Sequence, residues 1–477
     1  MIQIERWEGA KRLMLLGAFL SFFGILYYIA PIGIYPDSGS YISMQEGREP
    51  LYPLFLAFFR FIFQEADTIV WLASSGQLES EKAMELIRTW PALRVSMLLQ
   101  SLFAACSCYY VTICIKKVFQ LKGGLTILTG LCTLIPYLLT PLASSSHMVL
   151  NMAVLTEGIS FPMYSMFGGS IILGIFEEEK KYRYYLWAFL WALLLALTRN
   201  QMLVTFGVWI VSVCFEILRS RKWKSILLLC LSVVLFFGGR RGITQIYNSV
   251  AHKGYEGANT GSYNILTTLL YLSEREDGEA LTEEEDRLLF LEMYEQMNAE
   301  GMTRLSAPSG ILNRAYHYEE YYDVIGFEIQ QPCLFGYVQK NDIPEEEALN
   351  EVMHIAARMD RELFPRLMGR YISNYFATAA SGLTRSVSAS GRVMGIYSVF
   401  IYFIAGILMI YLYKNNRKSR AALLMLLALL MIGVNVFATA LMIMCLSRYM
   451  IYNTALFYIA GLMCLKELYE KKKITIL

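Results

Sequence analysis

Two carboxylates stand where an apolar chain has least reason to keep them. Asp37 lies in YPDSGSYISMQEGREPLYP (35–53), directly behind the first apolar segment, and Glu157 lies in LTEGIS within the fourth. A carboxylate beside a hydroxyl can take its proton as the oxygen attacks, so Asp37 is read as a general base. Glu157 is then a second acid that orients substrate or helps to hold a cation. Arginines accompany the acids: Arg199 in LALTRNQ, Arg240 and Arg241 after the seventh apolar segment, and Arg448 in LSRYM. Guanidinium forks match phosphate oxygens and stay charged in a partly dry site. Acid and arginines together predict chemistry on a lipid phosphate, with arginine or a metal neutralising the charge that develops on a departing phosphate.

Each residue also has a structural reading. Asp37 before Ser38-Gly39-Ser40 fits the start of a short surface helix. Glu157 is suited to pairing with an arginine that stitches two helices together, and the arginines are suited to reaching lipid headgroups. Arg448 with Tyr449 has the make-up of an interfacial anchor. Glu46, Arg48 and Glu49 are read as surface charges. His147, His252, His317 and His354 have no metal-ligand spacing. No nucleotide-binding glycine loop is present, which argues against a soluble nucleotide donor.

These residues must be positioned by helices in a bilayer. Of 477 residues, 56% are hydrophobic and only 17% charged, too apolar for an ordinary soluble chain. Charge is partitioned along the sequence. Of 40 acids and 42 bases, 23 and 14 fall within residues 240–392, leaving 17 and 28 elsewhere. The apolar part is basic and the long polar insert acidic, which makes nucleic acid an unsuitable partner. Of nine cysteines only Cys333 lies in the insert, and their spacing gives neither a disulfide framework nor a zinc site.

A spanning helix needs about 20 apolar residues. Candidate spans are placed at 13–30, 92–115, 124–142, 148–176, 184–198, 202–218, 225–239, 393–413, 420–446 and 450–465, giving an all-α polytopic membrane protein with about ten transmembrane helices. Short basic loops such as KKVFQLK, RSRKWK and KNNRKSR favour the cytoplasm. Both termini are then cytoplasmic, while 31–91 and 240–392 lie outside. Residues 184–218 can be read as one span or two. Basic runs at both ends favour two, with TRNQ at the turn between them.

The chain is accordingly divided into an N-terminal transmembrane module (1–239) with a first outer loop at 31–91, an acidic α-rich domain (240–392), and C-terminal transmembrane helices (393–477). Within the first loop, LYPLFLAFFRFIF (51–63) is apolar but too short to span, and is expected to lie at the interface beside Asp37. In the insert, Thr282 before a run of acids predicts a capped amphipathic helix. A later helical stretch is expected to break at Pro365.

Taken together, YPDSGSYI, EPLYPLFLAFFR, LTEGISF, LALTRNQ and SRYMIYNTALFYIAGL resemble the membrane glycosyltransferases of the GT-C fold, including bacterial relatives of the protein O-mannosyltransferases and of the lipid A aminoarabinose transferase. The resemblance covers most of the membrane part and leaves the acidic insert unmatched. It implies a GT-C-like fold, Asp37 as the catalytic base, Arg448 near a lipid-phosphate donor, and a polyprenyl-phosphate-linked sugar transferred outside the cytoplasm to a hydroxyl on a surface glycan, lipid or protein. On this reading Arg199, Arg240, Arg241 and Arg448 bind the donor phosphate, Tyr41, Tyr52 and Tyr449 line the substrate pocket, and Glu157 assists Asp37. Many relatives carry paired acids at the catalytic point, whereas Ser38 follows Asp37 here, so a divalent cation (Mg or Mn) stays open. The alternatives are a transporter or flippase of a lipid-linked saccharide and a non-catalytic scaffold for surface-polymer assembly. A transporter predicts internal repeats, and the sequence has none.

Overall fold

A computed structural model describes residues 2–45, 47–63, 86, 89–143, 147–221, 223–251 and 260–476. Glu46 and His252 lie outside the described residues, as does part of the first loop. The described chain is helical, and its only bridge pairing is the short parallel contact of Gly33 with Ala153. It divides into two compact units. The first comprises residues 1–255, 387–434 and 451–477, and the second residues 256–386 and 435–450.

The first unit opens with α1 (Ile2–Ile29), the short α2 (Ser38–Ile42) and α3 (Leu51–Phe63), then α4 (Pro91–Phe119), α5 (Gly124–Ala143) and α6 (Glu157–Phe176). It continues through α7 (Lys181–Ala196), α8 (Leu203–Ser220) and α9 (Trp223–Ala251). The helix α6 is the most enclosed of these, with the α4 and α7 helices packed against it. Glycines permit that close approach: a Cβ at Gly169 would lie 2.7 Å from the Tyr110 ring, and one at Gly174 would lie 3.0 Å from the Tyr185 ring. Small residues at such crossings let apolar helices pack tightly without a hydrophobic drive between them.

The second unit contains α10 (Thr260–Leu272), α11 (Glu284–Ala299), α12 (Ile311–Val324), α13 (Gln331–Lys340) and the long α14 (Glu345–Arg385). Leu266, Leu269, Phe290, Met293, Ile355 and Leu363 are among its core residues. Asp286 is buried under a two-pronged bond from Arg358 at 2.5 and 2.6 Å. Two expectations fail here. Thr282 does not cap α11, whose flanking residue Glu283 makes no side-chain cap bond. Nor does Pro365 break α14, which runs through it for 41 residues. The α10 and α12 helices pack along α14, which stays helical despite the backbone bond that proline cannot make. The remaining helices are α15 (Arg392–Asn415), α16 (Arg420–Met442), α17 (Ser447–Met450) and α18 (Thr454–Ile476).

Eight described helices are long and apolar enough to cross a membrane: the Gly9–Ile29 part of α1, then α4, α5, α6, α8, α9, α15 and α16. Residues 184–198 and 450–465 do not add to this set. With 16 residues, α7 reaches about 24 Å, short of a hydrocarbon core of about 30 Å. The other, α18, turns charged from Lys466 onward. Residues 184–218 form two helices, with Thr198, Arg199, Asn200 and Gln201 in the break between them. The helix expected over 148–176 begins only at Glu157, preceded by a short 3-10 turn at Leu150–Met152 and extended backbone at Ala153.

Candidate functional site

The chain leaving α1 is pinned beside the segment that leads into α6. The Gly33 amide donates to the Met152 carbonyl at 2.8 Å, and the Val154 amide returns a bond to the Gly33 carbonyl at 2.9 Å. The Ser38 hydroxyl accepts from the Tyr35 amide at 2.9 Å and donates to the Val154 carbonyl at 2.8 Å. Two residues far apart in sequence are thereby brought onto adjoining segments: Asp37 precedes Ser38, and Glu157 follows Val154 by three positions.

Asp37 occupies the position before α2, but its carboxylate makes no capping bond. It accepts instead from Arg48, Nη2 to Oδ1, at 2.8 Å. The Arg48 guanidinium also lies 4.8 Å from the centre of the Tyr41 ring, an arrangement in which charge meets the negative face of the ring. About a quarter of the Asp37 side chain stays exposed, so the carboxylate is oriented and still reachable. Reading Arg48 as a surface charge is therefore corrected. The same holds for Glu49, which is largely enclosed and bonded to Arg240 at 2.6 Å. Arg240 reaches Asn200 as well, and burial raises the Glu49 carboxyl above its ordinary range while Arg240 opposes that rise.

Glu157 is buried, at the first residue of α6 rather than deep within a span. Its anion there faces the positive end of the helix dipole. Arg199 donates to its Oε1 at 2.7 Å, and the Thr156 hydroxyl to its Oε2 at 3.1 Å. Arg199 sits just before the 3-10 turn Asn200–Met202 between α7 and α8. The Leu51 amide bonds to the Leu197 carbonyl at 2.9 Å, which holds the start of α3 against that turn. Tyr452 joins from the turn before α18, bonded to Ser160 at 2.8 Å and within electrostatic reach of both Glu157 and Arg199.

Tyr41 lies within electrostatic reach of both ion pairs. Burial raises its phenol above 10, Arg48 lowers it, Asp37 raises it, and Arg199 and Glu157 act on it in the same opposed way. Tyr52 packs edge to face on Tyr41, with ring centres 5.4 Å apart, and has no accessible surface. Its hydroxyl donates to Gln100 Oε1 at 3.1 Å. Gln100 in turn donates to the Asn151 and Ala153 carbonyls, so this buried amide braces both halves of the site from below.

Arg240 and Arg241 do not end a helix, because α9 continues to Ala251. Arg241 is exposed, with no hydrogen bond or ion pair among the described residues. Arg448 and Tyr449 belong to the second unit, where Arg448 donates to the Tyr449 hydroxyl at 2.9 Å. The carboxylates Asp37, Glu49 and Glu157 are each matched by one of Arg48, Arg240 and Arg199. Among the described residues no three or more His, Cys, Asp or Glu side chains gather as metal ligands, and each carboxylate of the array already has a guanidinium partner.

Asp37, Glu157 and Arg199 stand out in the sequence because they are charges in an apolar chain. Gln100, Ser160 and Tyr452 do not, because they are uncharged and lie within apolar runs.

Eight membrane-length helices, predominantly apolar composition and a buried ion-paired array define the class as an all-α polytopic membrane protein. Comparison with known proteins gives no more particular assignment: no family model, no curated protein and no solved structure matches the chain.

Proposed function

We propose that the protein is a GT-C-like membrane glycosyltransferase that moves a sugar from a polyprenyl-phosphate donor to an acceptor hydroxyl outside the cytoplasm. The observation that carries this reading is the pairs Asp37–Arg48 and Glu157–Arg199, both of which act electrostatically on Tyr41. One carboxylate is reachable and oriented, while the other is buried against an arginine that stays partly exposed. The acceptor hydroxyl gives its proton to Asp37 as its oxygen bonds to the anomeric carbon. The bond from that carbon to the phosphate oxygen breaks, and the polyprenyl phosphate leaves with the electron pair. Arg199, backed by Glu157, stabilises the growing phosphate charge, with Arg240 as a second donor. Tyr41 and the Arg48 guanidinium border the sugar, whereas the enclosed Tyr52 supports Tyr41 from behind. The exposed apolar side chains of α3, Leu54, Phe58 and Phe61, suit contact with the lipid tail.

The test is Asp37→Asn in cells, at wild-type protein levels, with mass spectrometry of surface glycans. The expected outcome is a missing sugar with donor accumulating on the outer leaflet. Normal product would falsify the role of Asp37, and donor held on the inner leaflet in a deletion strain would point to a flippase instead.

A further inference from the structure

The second unit holds a cationic pocket that the transfer reading does not use. Arg304, Arg314 and Arg370 border one cavity with Ser373 and Asn374, over a floor that includes Leu272. The three arginines arrive from separate elements: a 3-10 turn at Arg304–Ser306, the first turn of α12, and α14. Arg370, Ser373 and Asn374 share one face of α14 at helical spacing, which presents a guanidinium, a hydroxyl and an amide together.

Local charge is not balanced there. Glu274 takes both Arg304, at 2.8 Å, and Arg370, at 3.1 Å. Asp277 takes Arg366, at 2.8 Å, and Arg370 again. Arg314 has no ion pair or hydrogen bond from its side chain among the described residues, and the buried Arg304 Nε has no acceptor. Three guanidinium groups thus share two carboxylates, and Arg314 lines the same cavity without one, inside a segment that is acidic as a whole. Arg314 also stands in the first turn of a helix, where the dipole disfavours a cation unless an anion compensates. Tyr271 reports the same proximity, since Arg304 and Arg314 both act electrostatically on its hydroxyl, which bonds to His317 at 3.1 Å.

We propose that Arg304, Arg314 and Arg370, with Ser373 and Asn374, form a binding site for a phosphate group, carried by a soluble ester or by a lipid headgroup. Convergence from three directions favours a tetrahedral oxyanion over a carboxylate, whose two oxygens lie in one plane and suit a single fork. The site does not depend on whether the protein transfers a sugar.

The test uses the full-length protein in a phosphate-free maltoside detergent, titrated with inorganic phosphate at fixed ionic strength and, separately, with mixed micelles containing phosphatidic acid. Binding is read by calorimetry and by the midpoint of thermal unfolding. Saturable binding is expected in at least one arm. Arg314→Gln breaks no ion pair and should fold normally, yet weaken that binding roughly tenfold or more. Arg314→Lys, which keeps charge but loses the fork, should fall between. Arg275→Gln, which removes an exposed pair with Glu295 outside the pocket, should leave binding unchanged. A response to phosphate alone assigns a soluble ester, and a response only to phosphatidic acid assigns a headgroup. No saturable response in either arm, or equal binding by Arg314→Gln and wild type, overturns the proposal.

Discussion

Arg48 reaches back over eleven residues of chain to hold Asp37 at 2.8 Å while its guanidinium covers the Tyr41 ring. One side chain thereby fixes the orientation of the reachable carboxylate and closes one wall of the site. Arg48→Gln removes both functions without touching the acid. With Asp37 acting as base, the variant should keep its fold and lose roughly 10- to 100-fold in transfer rate, the scale expected of a misplaced proton acceptor. Arg48→Lys should recover only part of that loss, because lysine lacks the planar fork. Single-turnover transfer with purified donor checks this, and a rate unchanged in Arg48→Gln would remove Arg48 from the mechanism.

Glu157 and Arg199 present a different case, a nearly enclosed carboxylate paired with an arginine that stays partly exposed. Breaking a buried pair from one side strands a charge and costs about 3–5 kcal/mol. Either Glu157→Gln or Arg199→Leu should therefore lower the unfolding midpoint markedly in detergent, whereas the double variant should regain a large part of the loss. Additive losses across this double-mutant cycle would mean that the two side chains do not depend on each other.

Behind the array, Gly158 lies against Gln100 so closely that a Cβ would stand 2.4 Å from its side-chain amide. That amide is held by the Tyr52 hydroxyl and by two carbonyls of the segment leading to Glu157. It cannot withdraw without leaving buried polar groups unpaired. Gly158→Ala is thus expected to cost about 1–3 kcal/mol, the range for overpacking, and to reduce transfer although it adds only a methyl group. Gln100→Ala carries its own cost because it leaves the Tyr52 hydroxyl and two carbonyls unpaired, but it makes room for the methyl, so adding Gly158→Ala to it should cost less than adding it to wild type. Equal stability of Gly158→Ala and wild type would show that the brace is soft.

How far the sequence reveals this arrangement depends on what kind of signal each residue carries. The apolar segments α4, α5, α15 and α16 are visible because bilayer length and composition fix them. The break at TRNQ is visible as well, since a single helix over 184–218 would bury an arginine in mid-bilayer. The start of α6 is not visible: MVLNMAVL is apolar enough to read as helix, and only pairing of Gly33 with Ala153 draws it out straight. Arg48 and Glu49 look like surface charges because their partners, Asp37 and Arg240, are 11 and 191 positions away. Pro365 misleads for the reverse reason, a local rule overridden by packing along α14. Periodicity finds elements well, but the neutral brace of Gln100, Ser160 and Tyr452 exists only once helices distant in sequence meet.

A last prediction concerns the second unit and pH. Asp360 is buried on α14 beside the core residues Met359 and Leu363, and its Oδ1 has no hydrogen-bond partner. Burial pushes its carboxyl up from the ordinary 3.8 to about 8. A folded-state value above the unfolded one means that the folded chain keeps a proton which the unfolded chain has lost. Stability is therefore highest below about pH 4, declines as pH rises between roughly 4 and 8, and bears the full penalty above 8. Each tenfold difference in proton affinity between the folded and unfolded chain corresponds to about 1.4 kcal/mol, so a few kcal/mol are at stake. Asp360→Asn removes the titration while keeping the shape. Its unfolding midpoint should match that of wild type near pH 3.5, exceed it increasingly as pH rises, and lie several degrees above it near pH 8.5. Other groups titrate equally in both proteins and cancel in the difference. Curves that stay parallel across this range would show that Asp360 ionises in the folded chain as easily as it does in water.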